Sequence, residues 1–159
     1  MSEKNSYSNG LAETIIPAQK GMTEKTCRLF VIEDHEIMRE TLQLLIRRLP
    51  ALEWVGEAGD GYEALERLAE TPADVALVDI SLPGMNGIEL IRHLKSQFPA
   101  MKTLIVSGHE EELYVRQALS AGAHGYLQKT HLFDALETAV KTVMSGKTYV
   151  GETGRRMMP

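Results

Sequence analysis

The chain has 159 residues, room for one domain of ordinary size with some tail. It is 43% hydrophobic and 25% charged, a globular composition, and no apolar run approaches the ~20 residues of a membrane-spanning helix. The formal net charge of −5 argues against nucleic-acid binding by these residues themselves, because phosphate contacts need clustered Lys and Arg and the clusters here are just Arg47-Arg48 and Arg155-Arg156.

Residues 1–25 are polar and aperiodic and bury too little apolar area to order themselves, so a disordered N-terminal extension is expected. Met1-Ser2-Glu3-Lys4-Asn5 lacks the basic flank and apolar stretch of a signal peptide. The single cysteine, Cys27, cannot form an internal disulfide and reads as a small buried hydrophobe; with no disulfide framework, a cytoplasmic location is expected.

From Cys27 onward, short aliphatic runs alternate with longer stretches of helical period. Strands are expected at 28–32, 53–58, 75–79, 103–107 and 125–128. Three of them are apolar without alternation, as central strands covered on both faces should be. After the first, Met38, Leu42, Leu45, Ile46 and Leu49 fall on one helical face. Asp60 with Glu63, and Asn86 with Glu89, have the spacing of a capping box and mark two helix starts. Pro50, Pro72 and Pro99 punctuate helix ends, and Leu132, Leu136, Ala139, Val140 and Val143 form the stripe of the last helix. Five βα units predict an α/β fold of three layers, a doubly wound parallel sheet with right-handed crossovers. The folded unit is expected over 26–148, and 149–159 reads as the start of a linker or tail.

In such a sheet, ligands bind beyond the carboxyl ends of the strands. Strand one ends in Glu33-Asp34, strand three in Asp79, strand four in Ser107-Gly108 and strand five in Lys129. One rim would gather three carboxylates, a hydroxyl and an ammonium. Three adjacent carboxylates repel one another unless a cation joins them. Mg²⁺ suits them, since it takes oxygen ligands and is commonly held by one or two carboxylates together with phosphate oxygens. A nucleophilic carboxylate, a dication, a Lys and a hydroxyl are the parts of phosphoryl transfer, whose catalysis is largely positioning and electrostatics. Each signal is weak alone; the information lies in their coincidence at four strand ends.

These residues resemble the receiver domain of bacterial two-component response regulators. The resemblance rests on Leu29 to His35, Val75 to Gly87, Leu104 to Gly108 and Ala121 to Lys129, and spans about residues 26–148. It implies a flavodoxin-like sheet of order 2-1-3-4-5. It implies that Asp79 accepts a phosphoryl group from a sensor histidine kinase, with Mg²⁺ or Mn²⁺ held by Glu33, Asp34, Asp79 and the Ser81 backbone carbonyl. Ser107 matches the switch hydroxyl, Lys129 the lysine that pairs with the phosphoryl group, and Tyr126 the aromatic switch. A homodimer on phosphorylation is a further implication, and a classical enzyme is not expected. Glu33-Asp34-His35 and Ser145 to Val150 are similar to the NarL/FixJ branch, whose members continue into a helix-turn-helix domain. Transcriptional output through a DNA-binding domain absent from these residues is therefore expected, with a stand-alone receiver acting as adaptor or phosphate sink as the alternative.

Two departures from the family pattern stand out. The acidic pair is Glu-Asp rather than Asp-Asp, and Thr130 follows Lys129 where many receivers carry proline. His35, His93, His109, His124 and His131 do not share a metal-ligand spacing. His109, two residues past Ser107, is expected to tune acyl-phosphate hydrolysis together with Ser81. A phosphatase would want a carboxylate at position 81, and a flavin-binding protein a phosphate-cradling loop where Glu33-Asp34-His35-Glu36 stands; both readings rank lower.

Overall fold

The computed structural model describes residues 25–151. The stretch expected to be a disordered extension, apart from Lys25, and the positions after 151 lie outside the described residues. The elements run β1 (Cys27–Ile32), α1 (Glu36–Arg47), β2 (Leu52–Ala58), α2 (Gly61–Leu68), β3 (Val75–Val78), α3 (Gly87–Gln97), β4 (Lys102–Ser107), α4 (Glu112–Ala121), β5 (Gly125–Gln128), a 3₁₀ turn (Lys129–His131) and α5 (Leu132–Met144). The five strands form one sheet of order β2-β1-β3-β4-β5, and every pairing is parallel. Both the strand count and the flavodoxin-like order agree with the sequence reading.

Continuous apolar strands feed two cores at once, because successive side chains leave a strand on opposite faces. Leu29 and Val31 of β1 join Val75 and Leu77 of β3 in the layer under α1 and α5. Phe30 and Ile32 join Ala76 and Val78 in the layer under α2, α3 and α4. The helical stripes face these layers. Leu132, Leu136, Ala139, Val140 and Val143 are all buried, as are Leu42, Leu45 and Ile46, whereas Met38 and Leu49 are half-buried at the margins. Each fully buried aliphatic side chain contributes about 1.5–3 kcal/mol, so the sheet is held from both sides.

Both expected helix starts carry the N-cap half of the capping box. The Asp60 side chain accepts the Glu63 amide at 2.8 Å, and Asn86 accepts that of Glu89 at 2.9 Å. Glu63 in turn accepts the Gly59 amide at 2.8 Å, so the loop after β2 is tied on both sides. After α5 the chain returns to the sheet. Tyr149 bridges Gly125 in parallel sense, its carbonyl accepts the Tyr126 amide at 2.7 Å, and Val150 is buried in the same layer as Tyr126. No described helix is long and apolar enough to cross a membrane.

Candidate functional site

Every strand but β2 ends at one rim with a side chain singled out from the sequence. Asp79 lies one residue past β3, where its amide still donates to the Ile32 carbonyl at 3.0 Å and extends the ladder. The loop beyond it turns back sharply. The Gly87 amide donates to the Ile80 carbonyl at 2.8 Å, and a Cβ at Gly87 would overlap the Asp79 carbonyl oxygen. Glycine is therefore required where α3 begins, and this packing holds Asp79 against the end of β1.

The structure brings together Glu33, Asp34, Asp79 and Lys129. Glu33 and Asp79 are buried, at 2% and 4% exposure, while Asp34 faces solvent. Lys129 Nζ sits 2.9 Å from Glu33 Oε1 and 3.7 Å from Asp79 Oδ1. The Lys129–Thr130 peptide is trans and opens the 3₁₀ turn that leads into α5. Burial, and then the Glu33 charge, push the Asp79 carboxyl above its ordinary pKa despite the lysine. For Glu33 burial alone would act in the same direction, but hydrogen bonds from Lys129 and His35 outweigh it and hold this carboxyl low. The lysine thus belongs chiefly to Glu33, and Asp79 is left short of positive charge.

One residue was missed by the sequence reading. His35 does not pair with another histidine, but it joins the carboxylates: Nδ1 is 3.0 Å from Glu33 Oε2 and 3.2 Å from Asp34 Oδ1. Among the described residues, Glu33, Asp34, His35 and Asp79 form a group whose potential ligand atoms all lie within 4.8 Å of one another. The signal available in the sequence was adjacency to the acidic pair, which a comparison among histidines overlooks.

Across the cleft, Ser107 is fully buried and its Oγ accepts the His109 amide at 3.0 Å. Tyr126 is turned inward at 1% exposure, and its hydroxyl donates to the His109 carbonyl at 2.7 Å. Burial raises the phenol to a pKa of about 12, so it stays a donor. His109 Nε2 lies 3.2 Å from Ser81 Oγ, and the His109 ring stacks on Tyr114 with centroids 4.3 Å apart. The β3–α3 and β4–α4 loops therefore meet through the Ser81–His109 pair.

The sequence profile of the response regulator receiver domain matches residues 29–141, most of the chain. The chain belongs to the response regulator receiver domain family. It is 37% identical over 129 residues to the transcriptional regulatory protein DegU of Brevibacillus brevis, covering 81% of this chain and 55% of that protein. It is 40% identical over 121 residues to the transcriptional regulatory protein UhpA of Salmonella typhimurium, covering 76% and 60% respectively. Among solved structures, a LuxR-family two-component response regulator from Aurantimonas sp. SI85-9A1 superposes with a TM-score of 0.75 at 34% identity, covering 79% of this chain and 89% of that one. The relatives of this receiver are thus NarL/LuxR-family response regulators, as the resemblance implied. The chain spans little more than half the length of the curated relatives it matches. As a family, receivers bind Mg²⁺ at an acidic pocket, and response regulators partner with histidine kinases; this receiver carries such an acidic cluster.

Proposed function

We propose that this receiver takes a phosphoryl group onto Asp79 from a sensor histidine kinase and switches conformation to control a transcriptional output. The observation that carries the reading is a buried carboxylate, Asp79, at a strand end beside two further carboxylates, with Lys129 Nζ 3.7 Å away. In the transfer an Asp79 carboxylate oxygen attacks phosphorus, the phosphorus–nitrogen bond of the phosphohistidine breaks, and the electron pair returns to the imidazole. Lys129 is placed to shift from Glu33 toward the new phosphoryl oxygens, since one ammonium already reaches both carboxylates.

The donor set fits a hard dication. Three carboxylates converge with too little positive charge, and Asp79 is held above its usual range in consequence. Glu33, Asp34, Asp79 and the Ser81 carbonyl would hold Mg²⁺ or Mn²⁺, which when bound neutralises charge on the phosphoryl oxygens. Ser107 would then leave the His109 amide for a phosphoryl oxygen. That move would free the β4–α4 loop and alter what Tyr126 holds, so both act as switch residues. A dimer face altered by this switch, and DNA contact through a further domain, complete the reading. Cytoplasmic localisation goes with a kinase partner acting on its soluble side.

The test is incubation with acetyl phosphate, with and without Mg²⁺, followed by intact mass. One added phosphoryl group that needs the ion and vanishes in Asp79→Asn is expected. No mass gain in the wild type defeats the reading. Ser81, two residues past Asp79, and His109, two past Ser107, act as tuning residues, since their 3.2 Å contact joins the loops on either side of the phosphoacceptor. His109→Ala should speed loss of the phosphoryl group roughly severalfold by admitting water. An unchanged dephosphorylation rate removes that role.

A further inference from the structure

His35 stands at the rim, and the phosphoacceptor reading does not use its contacts to the carboxylates. It is the N-cap of α1, yet its side chain makes no capping hydrogen bond, so the imidazole is not committed to the helix start. Its backbone amide donates to Glu33 Oε2 at 3.1 Å, and this bond pins the ring over the carboxylates. The ring is 68% exposed, which leaves an open approach from solvent.

The distances suit a shared ion. Around a first-row dication with ligands at ~2.1 Å, neighbouring octahedral positions lie ~3.0 Å apart and opposite ones ~4.2 Å apart. His35 Nδ1 stands 3.0 Å from Glu33 Oε2 and 3.2 Å from Asp34 Oδ1, both near the edge of such an octahedron. Asp79 belongs to the same group, all of whose potential ligand atoms lie within 4.8 Å of one another. A neutral imidazole with its proton on Nε2 turns the Nδ1 lone pair toward this centre. Imidazole nitrogen favours the later first-row dications, whereas an all-oxygen set suits Mg²⁺.

We propose that His35 Nδ1 is a direct ligand of the divalent ion, so that this site prefers a later first-row dication such as Co²⁺ or Ni²⁺ over Mg²⁺. The proposal rests on the reading that the carboxylates hold an ion at all. A plain Nδ1–H hydrogen bond to the two carboxylates would give the same distances and no such preference, and the two are separable by spectroscopy.

The experiment uses the full chain without an affinity tag, loaded with less than one equivalent of Mn²⁺ and read by pulsed electron paramagnetic resonance. Wild type should show the coupling of a directly bound ¹⁴N. His35→Ala, at an exposed position, should bind Mn²⁺ without that coupling. His35→Asn, which offers an oxygen near the place of Nδ1, should likewise lose the nitrogen signal while keeping Mg²⁺ binding. In competition titrations His35→Ala should weaken Co²⁺ by ~10-fold or more and Mg²⁺ by less than ~3-fold. Mn²⁺ bound with no nitrogen coupling in wild type overturns the proposal, as does an equal loss of Co²⁺ and Mg²⁺ affinity in His35→Ala. If wild type gains a phosphoryl group on Asp79 in Mg²⁺ but shows neither signature, this inference alone fails; if it binds no divalent ion, the ion reading falls with it.

Discussion

His124 sits at the end of the sheet opposite the acidic rim, and its environment favours the neutral ring. Burial comes first among the causes, and the ammonium groups of Lys102 on β4 and Lys95 on α3 act the same way. The geometry needs a neutral ring too, because Nδ1 accepts the Thr103 amide at 3.0 Å and a protonated ring has no acceptor. With a folded pKa below the ordinary 6.5, the unfolded chain binds more protons than the folded one in the window just below 6.5. Stability should therefore be whole above pH 6.5 and fall as pH drops through that window. His124→Asn retains an acceptor oxygen and cannot titrate. Its urea midpoint should change less between pH 7 and pH 5 than that of the wild type; parallel slopes would contradict this. The residue scale is also where sequence was least legible. Asp79, Glu33 and Lys129 could be placed because strand ends share a rim, and Ser81 and His109 could be named together near it, but their direct hydrogen bond joins two loops 28 positions apart, and loop conformation leaves no periodic trace.

At the scale of elements the sequence was far more readable. Aliphatic strands and amphipathic helices have different periods, so β1 to β5 and the stripes of α1 and α5 appear directly in the residues. Ends were less sharp. Lys102 belongs to β4, and Cys27 opens β1, because ladder bonds continue past the apolar run. The return of the chain to the β5 edge had no signature in sequence: Tyr149 and Val150 are two residues, too few to show alternation. The return depends on Gly125. A Cβ there would meet Leu104 Cδ1 at 2.8 Å, the Tyr149 carbonyl at 3.0 Å and Val143 Cγ1 at 3.0 Å. Gly125→Ala should push the returning segment off the edge and cost about 1–3 kcal/mol. Amide exchange should accelerate most at Tyr126, whose N–H bonds the Tyr149 carbonyl at 2.7 Å. A stability loss with Tyr126 exchange unchanged would place the strain on Leu104 instead.

Over the whole molecule, favourable and unfavourable charge are unevenly spread. Pairs such as Arg28–Asp74 lie at the surface and contribute little, typically below about 1 kcal/mol. The acidic rim is different, because Glu33 and Asp79 are almost wholly buried and share Lys129, which stands nearer to Glu33. A buried carboxylate without a close partner opposes folding. The fold was legible because two apolar layers suffice to define it, and the same layers tolerate a destabilised rim. Removing the Asp79 charge while keeping its shape should therefore stabilise the ion-free protein. In a chelator, Asp79→Asn should raise stability by about 0.5–2 kcal/mol. Adding Mg²⁺ should reverse the ranking, since an ion that binds the folded state at 100 times its Kd adds about 2.7 kcal/mol and the variant has lost a ligand. Thermal melts of both proteins, each with chelator and with saturating Mg²⁺, give four numbers. A variant less stable than wild type in chelator would mean that Lys129 already compensates Asp79 in full, and the ion would then have no electrostatic deficit to fill.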